Sequence, residues 1–304
     1  MDNNTPKHEF LSYWNMNQPP FSTVYRSPND YHNWDQCHKI ILSIDLELEH
    51  SNHIILVKGD EGTGKSYMAK YLYQTIDYHQ SEVWISNIVK NEAQDQSLLN
   101  NFSMFMGVDN QAPLSSLSQS LRDLAQAGRK ALWIIDNSHL ANKKTLEHIL
   151  FLNRNNKNNL GIILFGKSDV FDNILPTNEY ISYNIEPMKW DPFVEYMLWN
   201  LKKVGINQNI FPHHTLSNIY ELSRGIPSEI NKLAMGYLID EYIEKTKRDE
   251  PRIKKTQKTN LPSDKNQKDK TEEETSGSRN ISPQKLGERS LSSLFFRPDE
   301  KKSG

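Results

Sequence analysis

The chain is expected to fold as an α/β protein: a parallel sheet with helices on both faces, followed by a small helical segment. Three observations carry this. Short apolar runs alternate with stretches of helical periodicity as far as about Met188. The first full run stops at a glycine, as a buried parallel strand does. After Trp190 the runs cease and three helical patterns follow.

The elements are justified in chain order. Asn17 to Asp30, NQPPFSTVYRSPND, is rich in proline and turn formers and reads as an extended or looped arm. From Trp34 to about His50 apolar residues recur at helical spacing. HIILVKG (His53–Gly59) is the first strand, and Ser66 to Ile76 the helix after it. Further strands are expected at EVWIS around Trp84, ALWIID (Ala131–Asp136), LGIILFG (Leu160–Gly166) and YISYNIEPM (Tyr180–Met188), with helical intervals between. DPFVEYMLWNLKKVG, HHTLSNIYELSRG and SEINKLAMGYLIDEYIEK then read as helices. The first is expected to begin at Asp191, with Pro192 just inside and Gly205 at its end.

The expected organisation is an arm over residues 1–34, a core over 35–188, a helical lid over 189–246 and a tail over 247–304. The tail carries almost no large apolar residue, so ordering it would bury too little surface, and it is expected to be disordered. Within it, residues 291–298 form a small apolar cluster, LSSLFFRP, which is either a docking segment or ordinary tail.

Length and composition narrow the class. With 304 residues there is ample chain for a buried core, and a formal net charge of −2 gives no global argument for nucleic acid or a membrane surface. From Lys247 onward there are 15 Lys/Arg and 10 Asp/Glu, a local excess of positive charge. Cys37 is the only cysteine, so no intrachain disulfide is possible and it reads as a small core hydrophobe. The start, MDNNTPKHEFLSYW, lacks the basic-then-apolar pattern of a secretory signal, and no run of about 18 apolar residues occurs. A cytoplasmic protein without direct membrane insertion is expected.

The chemistry concentrates in VKGDEGTGKSYM, Val57 to Met68. Gly59, Gly64, Lys65 and Ser66 satisfy G-x-x-x-x-G-K-[ST], with Gly62 as an extra glycine, between an apolar strand and a helix. Glycines let backbone N–H groups turn inward onto phosphate oxygens, and the helix directs its positive end at them. Glu61, Gly62, Thr63, Gly64, Lys65, Ser66 and Tyr67 are thus candidate nucleotide-binding residues with Gly59. Asp60 and Glu61 also read as solvated loop positions. Lys65 is expected at the β- and γ-phosphates and Ser66 at Mg²⁺. The strand ALWIID ends in Asp136, the second expected Mg²⁺ residue, for which a strand-ending turn or helix cap is the alternative. The next residue is Asn137, which can position water through its amide but cannot act as a base. His139 lies two residues further on, as a substitute or as a surface residue. Lys167 ends the LGIILFG strand, where a polar group senses a γ-phosphate, or is an ordinary surface lysine.

Together these residues resemble the AAA-type ATPases of the ExeA/GspA group, with the TniB, TnsC and MuB transposition ATPases as wider relatives. The resemblance also rests on FLSYWNMNQPPFSTVYRSPNDYHN, LEHILFLNRNNKNNLGIILFGKSDV and ELSRGIPSEINKLA, and covers about residues 9–245. It implies a RecA-like αβα core with a helical lid, ATP and Mg²⁺ between them, and a homo-oligomeric ring or filament. By position it implies phosphate binding by Gly59 to Ser66, Mg²⁺ ligation by Asp136 and Lys167 at the sensor position. Pro20, Phe21, Gly225 and Pro227 would flank the nucleotide.

Three departures stand out. Asn137 follows Asp136 where the family has an acidic residue. Ser228 follows the lid proline where it has arginine, and Lys167 stands for a more usual glutamine. No arginine lies between Arg154 and Arg224, which leaves those two as candidate fingers. Losing such an arginine slows phosphoryl transfer by on the order of 10³-fold or more. The expected function is an ATP-binding, slowly hydrolysing ATPase or switch that regulates assembly of an envelope complex, a secretion or pilus system, through a protein partner. The alternatives are an ATP-dependent DNA-binding regulator of transposition, drawing on the basic tail, and a nucleotide-bound scaffold that does not hydrolyse.

Overall fold

The computed structural model describes residues 6–50, 53–76, 82–89, 94–109, 113–167 and 179–257. The expected disorder of residues 247–304 is contradicted over 247–257, which are helical; beyond residue 257 it lies, with the apolar cluster at 291–298, outside the described residues.

The elements run α1 (Pro6–Tyr13), α2 (Asp35–His50), β1 (Ile54–Gly59), α3 (Lys65–Thr75), β2 (Glu82–Asn87), α4 (Gln94–Phe105), α5 (Leu114–Gln126), β3 (Ala131–Asp136), α6 (Lys143–Asn155), β4 (Leu160–Gly166), β5 (Tyr180–Ile185), α7 (Trp190–Lys203), α8 (His213–Ser223) and α9 (Pro227–Gln257). The five strands form one sheet in the order β2-β3-β4-β1-β5, every pair parallel. This is the α/β fold expected, with the helical segment after the strands.

Burial explains which runs became central strands. Every residue of β3 is buried, and β1 and β4 nearly so, because neighbours and helices cover both faces. β2 and β5 hold the edges and are only partly buried. One face of the sheet carries a core built around Trp133, whose indole stacks on Phe102 at 4.1 Å and 5°. Its Nε1 donates to Ser86 Oγ at 3.0 Å, so the buried ring keeps a partner.

β5 stops at Ile185 rather than running on to Met188. Pro187 offers no N–H to a ladder, and the Met188 N–H donates instead to Gly225 O at 2.8 Å. α7 begins one residue before Asp191, with Lys189 O accepting from Phe193 N at 3.0 Å, and the turn after it takes Gly205 at φ 95°.

The chain divides into two compact units. The larger is Asn15–Ala234 and contains the whole sheet. The smaller joins the first residues, through Trp14, to the chain from Met235 onward. In it Phe10 meets Tyr242 edge-on at 5.7 Å, Trp14 Nε1 donates to Leu238 O at 3.3 Å, and Lys245 Nζ lies 5.8 Å from the Tyr13 ring centroid. α9 continues to Gln257, past the composition change at Lys247. Ion pairs of Glu241 with Lys245 and Glu244 with Arg248, each four residues apart, support a solvated helix there.

Candidate functional site

The carboxyl ends of the strands converge at one edge of the sheet, where ligands bind in open α/β folds. β1 ends at Gly59, whose added Cβ would stand 2.8 Å from Ile185 O, so only glycine lets β1 and β5 close at this point. The loop then turns through Gly62 (φ 82°) and Gly64 (φ 101°), and α3 starts immediately. Thr63 Oγ1 donates to Asp60 O at 2.8 Å and braces the loop from behind. Lys65 is 8% exposed and folds back, donating from Nζ to Gly59 O at 2.7 Å and Asp60 O at 2.5 Å. Burial pulls its pKa down, against the opposing pull of Asp136 and Asp60.

β3 delivers Asp136, 5% exposed, opposite Asn87 at the end of β2. Asp136 Oδ1 accepts from the Asn137 N–H at 2.9 Å. Asn137 takes the left-handed conformation at φ 55°, which asparagine tolerates. That turn carries its side chain to β2, where Nδ2 donates to Asn87 Oδ1 at 2.9 Å. Asn87 was not singled out from sequence; the register opposite Asp136 is what reveals it. Ser138 Oγ donates to Phe165 O at 2.8 Å and pins the turn against β4.

Lys167, one residue past β4, forms an ion pair with Glu61 of the loop at 3.2 Å. The Lys167 ammonium, followed by Lys65 and His139, holds the Glu61 carboxyl below the usual range. His139 lines the same space, its Nδ1 buried without a hydrogen-bond partner. Burial lowers its pKa, and Lys167 and Lys65 lower it further.

These groups open onto a cavity of about 600 Å³. Glu61, Gly62, Gly64, Lys65, Ser66 and Tyr67 line one end, with Asn137 and Lys167 beside them. Gly59, Thr63 and Asp136 stand behind the lining. Neither candidate finger reaches it. Arg154 is held in an exposed bidentate pair by Glu179, at 3.0 and 2.7 Å, and Arg224 caps α8 at φ 52°.

The other end is aromatic, a feature the sequence did not disclose. The His32 ring lies 5.1 Å from Trp199, 5.6 Å from Tyr196 and 6.3 Å from Trp34. Burial drives the His32 pKa down to about 4, so the ring is neutral at pH 7. The arm over residues 15–34 is a wall of the cavity. Phe21, buried at φ 55°, packs edge-on to Phe211 at 6.0 Å, while Ser22 and Thr23 line the space. Asp30 ties the arm to α7 through Lys203 at 2.6 Å, and Lys203 Nζ also sits 4.4 Å from the Trp199 ring centroid. Burial alone would raise the Asp30 pKa, but Lys203 and the Arg26 and Ser27 N–H groups outweigh it and lower it. Pro227, Ser228 and Asn231 of α9 close the roof, with Ser228 N donating to Gly62 O at 3.2 Å. Gly225, at φ 73°, is packed against the Met188 carbonyl, which leaves no room for a Cβ.

The donor set fits a small hard cation bound partly through water: an anionic oxygen from Asp136 and a hydroxyl from Ser66, beside the loop lysine. Among the described residues no helix is long and apolar enough to cross a membrane.

Residues 48–175 match the family described as AAA domain. The curated General secretion pathway protein A of Aeromonas hydrophila is 23% identical over 246 residues, 76% of this chain and 44% of that protein. The chain therefore spans less than half of that relative's length. Among solved structures, the Aeropyrum pernix ORC2 protein in its ADP form matches with a TM-score of 0.53 and 14% identity, over 70% of this chain and 64% of that one. The Aeropyrum pernix ORC1 protein in complex with DNA matches at 0.53 and 10% identity, over 80% and 70%. Cdc6p from Pyrobaculum aerophilum matches at 0.51 and 16% identity, over 69% and 62%. At these identities the structural likeness speaks to the fold.

Proposed function

We propose, from the premise that this chain is an AAA-type P-loop protein, that it binds ATP with Mg²⁺ and serves as a slowly hydrolysing switch. The carrying observation is the two-ended cavity: backbone N–H groups and Lys65 at one end, aromatic planes at the other. A phosphate chain and a base need these surfaces in this order. On binding, Lys65 exchanges the Gly59 and Asp60 carbonyls for phosphate oxygens. Lys167 turns from Glu61 toward the terminal phosphate. Ser66 and Asp136 would hold Mg²⁺, which supplies charge neutralisation on the phosphate oxygens.

Slow hydrolysis follows from Asn137. With Nδ2 committed to Asn87, its remaining oxygen accepts a hydrogen bond from a water and orients it, but takes no proton. Arg154, one of the two candidate fingers, is already paired with Glu179. The same observations favour the second reading, a nucleotide-bound scaffold.

The likeness to General secretion pathway protein A supports a role in assembling an envelope secretion complex, through a protein partner and a homo-oligomer. The DNA-regulator reading draws on a tail outside the described residues, and no feature of the cavity adds to it.

Titration with a fluorescent ATP analogue, followed by single-turnover hydrolysis, tests the proposal. Submicromolar to micromolar binding lost in Lys65→Ala, with slow phosphate release above that variant's background, is expected. Tight binding with release equal to that background establishes the scaffold, and wild-type protein that binds no nucleotide ends the reading.

A further inference from the structure

Several polar side chains around the aromatic end of the cavity are already partnered by the protein. The Tyr196 hydroxyl donates to Asn231 Oδ1 at 2.8 Å, Asn200 Nδ2 donates to Tyr196 O at 3.0 Å, and Lys203 is paired with Asp30. His32 Nε2 and the Tyr67 hydroxyl differ from these. Both atoms are buried and neither has a hydrogen-bond partner, although both residues line the cavity. Such an atom costs the folded chain its lost hydration, so native structures keep few of them and each asks for an explanation. Neither atom is tied by a hydrogen bond, so rotation of its side chain breaks none in aiming it into the cavity.

The surroundings select the ligand. Tyr67 follows Ser66 in the first turn of α3, beside the phosphate loop, while His32 sits among the rings of Trp34, Tyr196 and Trp199. The two groups therefore run from the phosphate end of the cavity into its aromatic end. Both are neutral at pH 7: burial raises the Tyr67 pKa and lowers that of His32. The nearby cation, Lys203, is committed to Asp30, which favours a neutral flat ring over a second anion. A tyrosine hydroxyl both donates and accepts, and Nε2 of a neutral imidazole does either according to its tautomer. A base edge and sugar hydroxyls, which offer donors and acceptors together, suit such groups.

We infer that His32 Nε2 and the Tyr67 hydroxyl are the side-chain hydrogen-bonding groups that hold the nucleoside half of the bound nucleotide. This rests on the nucleotide reading above and names what grips the half of the ligand beyond the phosphate loop. Each group destabilises the protein alone and strengthens the complex.

The test titrates the full chain with ATP and with inorganic tripolyphosphate, which keeps the phosphate chain and lacks the nucleoside, both with Mg²⁺. Thermal melting without ligand is followed alongside. Wild type is expected to bind ATP about 10-fold or more tightly than tripolyphosphate. Tyr67→Phe and His32→Phe are each expected to lower ATP affinity about 10-fold and to leave tripolyphosphate affinity unchanged. Tyr67→Phe removes a hydroxyl without a partner, so its melting midpoint is expected at or above that of wild type. Wild type that binds ATP no more tightly than tripolyphosphate overturns the inference with no variant needed. Wild-type ATP affinity in either variant overturns it too, as does a Tyr67→Phe protein that melts lower and loses both ligands equally. Wild type that binds neither ligand removes the nucleotide reading itself.

Discussion

Acidifying the protein should weaken it through His32, and the size of the effect follows from the ring's surroundings. His32 sits among Trp34, Tyr196 and Trp199, and burial lowers its pKa from 6.5 to about 4. The unfolded chain takes up this proton near pH 6.5, whereas the folded chain refuses it until about pH 4. More protons are bound to the unfolded state across that window, so stability falls as pH falls. It is fully present above 6.5 and lost progressively down to 4. At about 1.4 kcal/mol per tenfold in proton affinity, the window amounts to about 2–3 kcal/mol for a ring not wholly enclosed. Urea unfolding of wild type and His32→Phe at intervals from pH 7.5 to 4.5 measures it. The variant should show a shallower decline, with the difference confined to that window. Parallel declines in the two proteins would refute the argument.

Other expectations follow from particular contacts. Gly225→Ala combines a left-handed conformation with a Cβ driven into the Met188 carbonyl. It should lose about 2–4 kcal/mol, visible as a melting midpoint lower by several degrees. Wild-type melting would show that this turn relaxes freely. Asp30→Asn removes the ion pair with Lys203 and should cost about 1 kcal/mol at pH 7 by urea unfolding. Because Asp30 titrates below its ordinary 3.8, that contribution should survive down to this range and vanish as the pH drops through the folded value. Asn137→Glu supplies the missing base and should raise the single-turnover rate about 10-fold or more. An unchanged rate would place the deficit elsewhere, in the absent arginine.

The strands were legible because each central one is a short apolar run closed by a glycine or an aspartate, as in Leu160–Gly166 and Ala131–Asp136. The loop from Gly59 to Ser66 was legible for the same local reason, since its chemistry and its spacing lie in one stretch. α1 was not read, because Pro6–Tyr13 is mostly polar and its Phe10 and Tyr13 find their partner more than two hundred positions away, at Tyr242. Asn87, His32, Asn200 and Asn231 were hidden for a related reason. Nothing near Asn87 in the chain announces Asn137; only the pairing of β2 with β3 puts the two amides together. Asn200 and Asn231 look like polar interruptions of amphipathic helices until Tyr196 is seen between them.

The strand order bears on when the phosphate loop becomes a loop at all. β1 leaves the ribosome early, but its neighbours in the sheet are β4 and β5: Ile55 pairs with Ile163 and with Ile181. At about 5–20 residues per second, the first of these partners is synthesised roughly 5–20 s after β1. During that interval Ile54–Val57 is an unpaired hydrophobic edge, and long-range parallel pairing is intrinsically slow. Among the strands, the one that leads into the phosphate loop is thus the one a nascent chain must shelter longest, and β2 can pair with β3 before it.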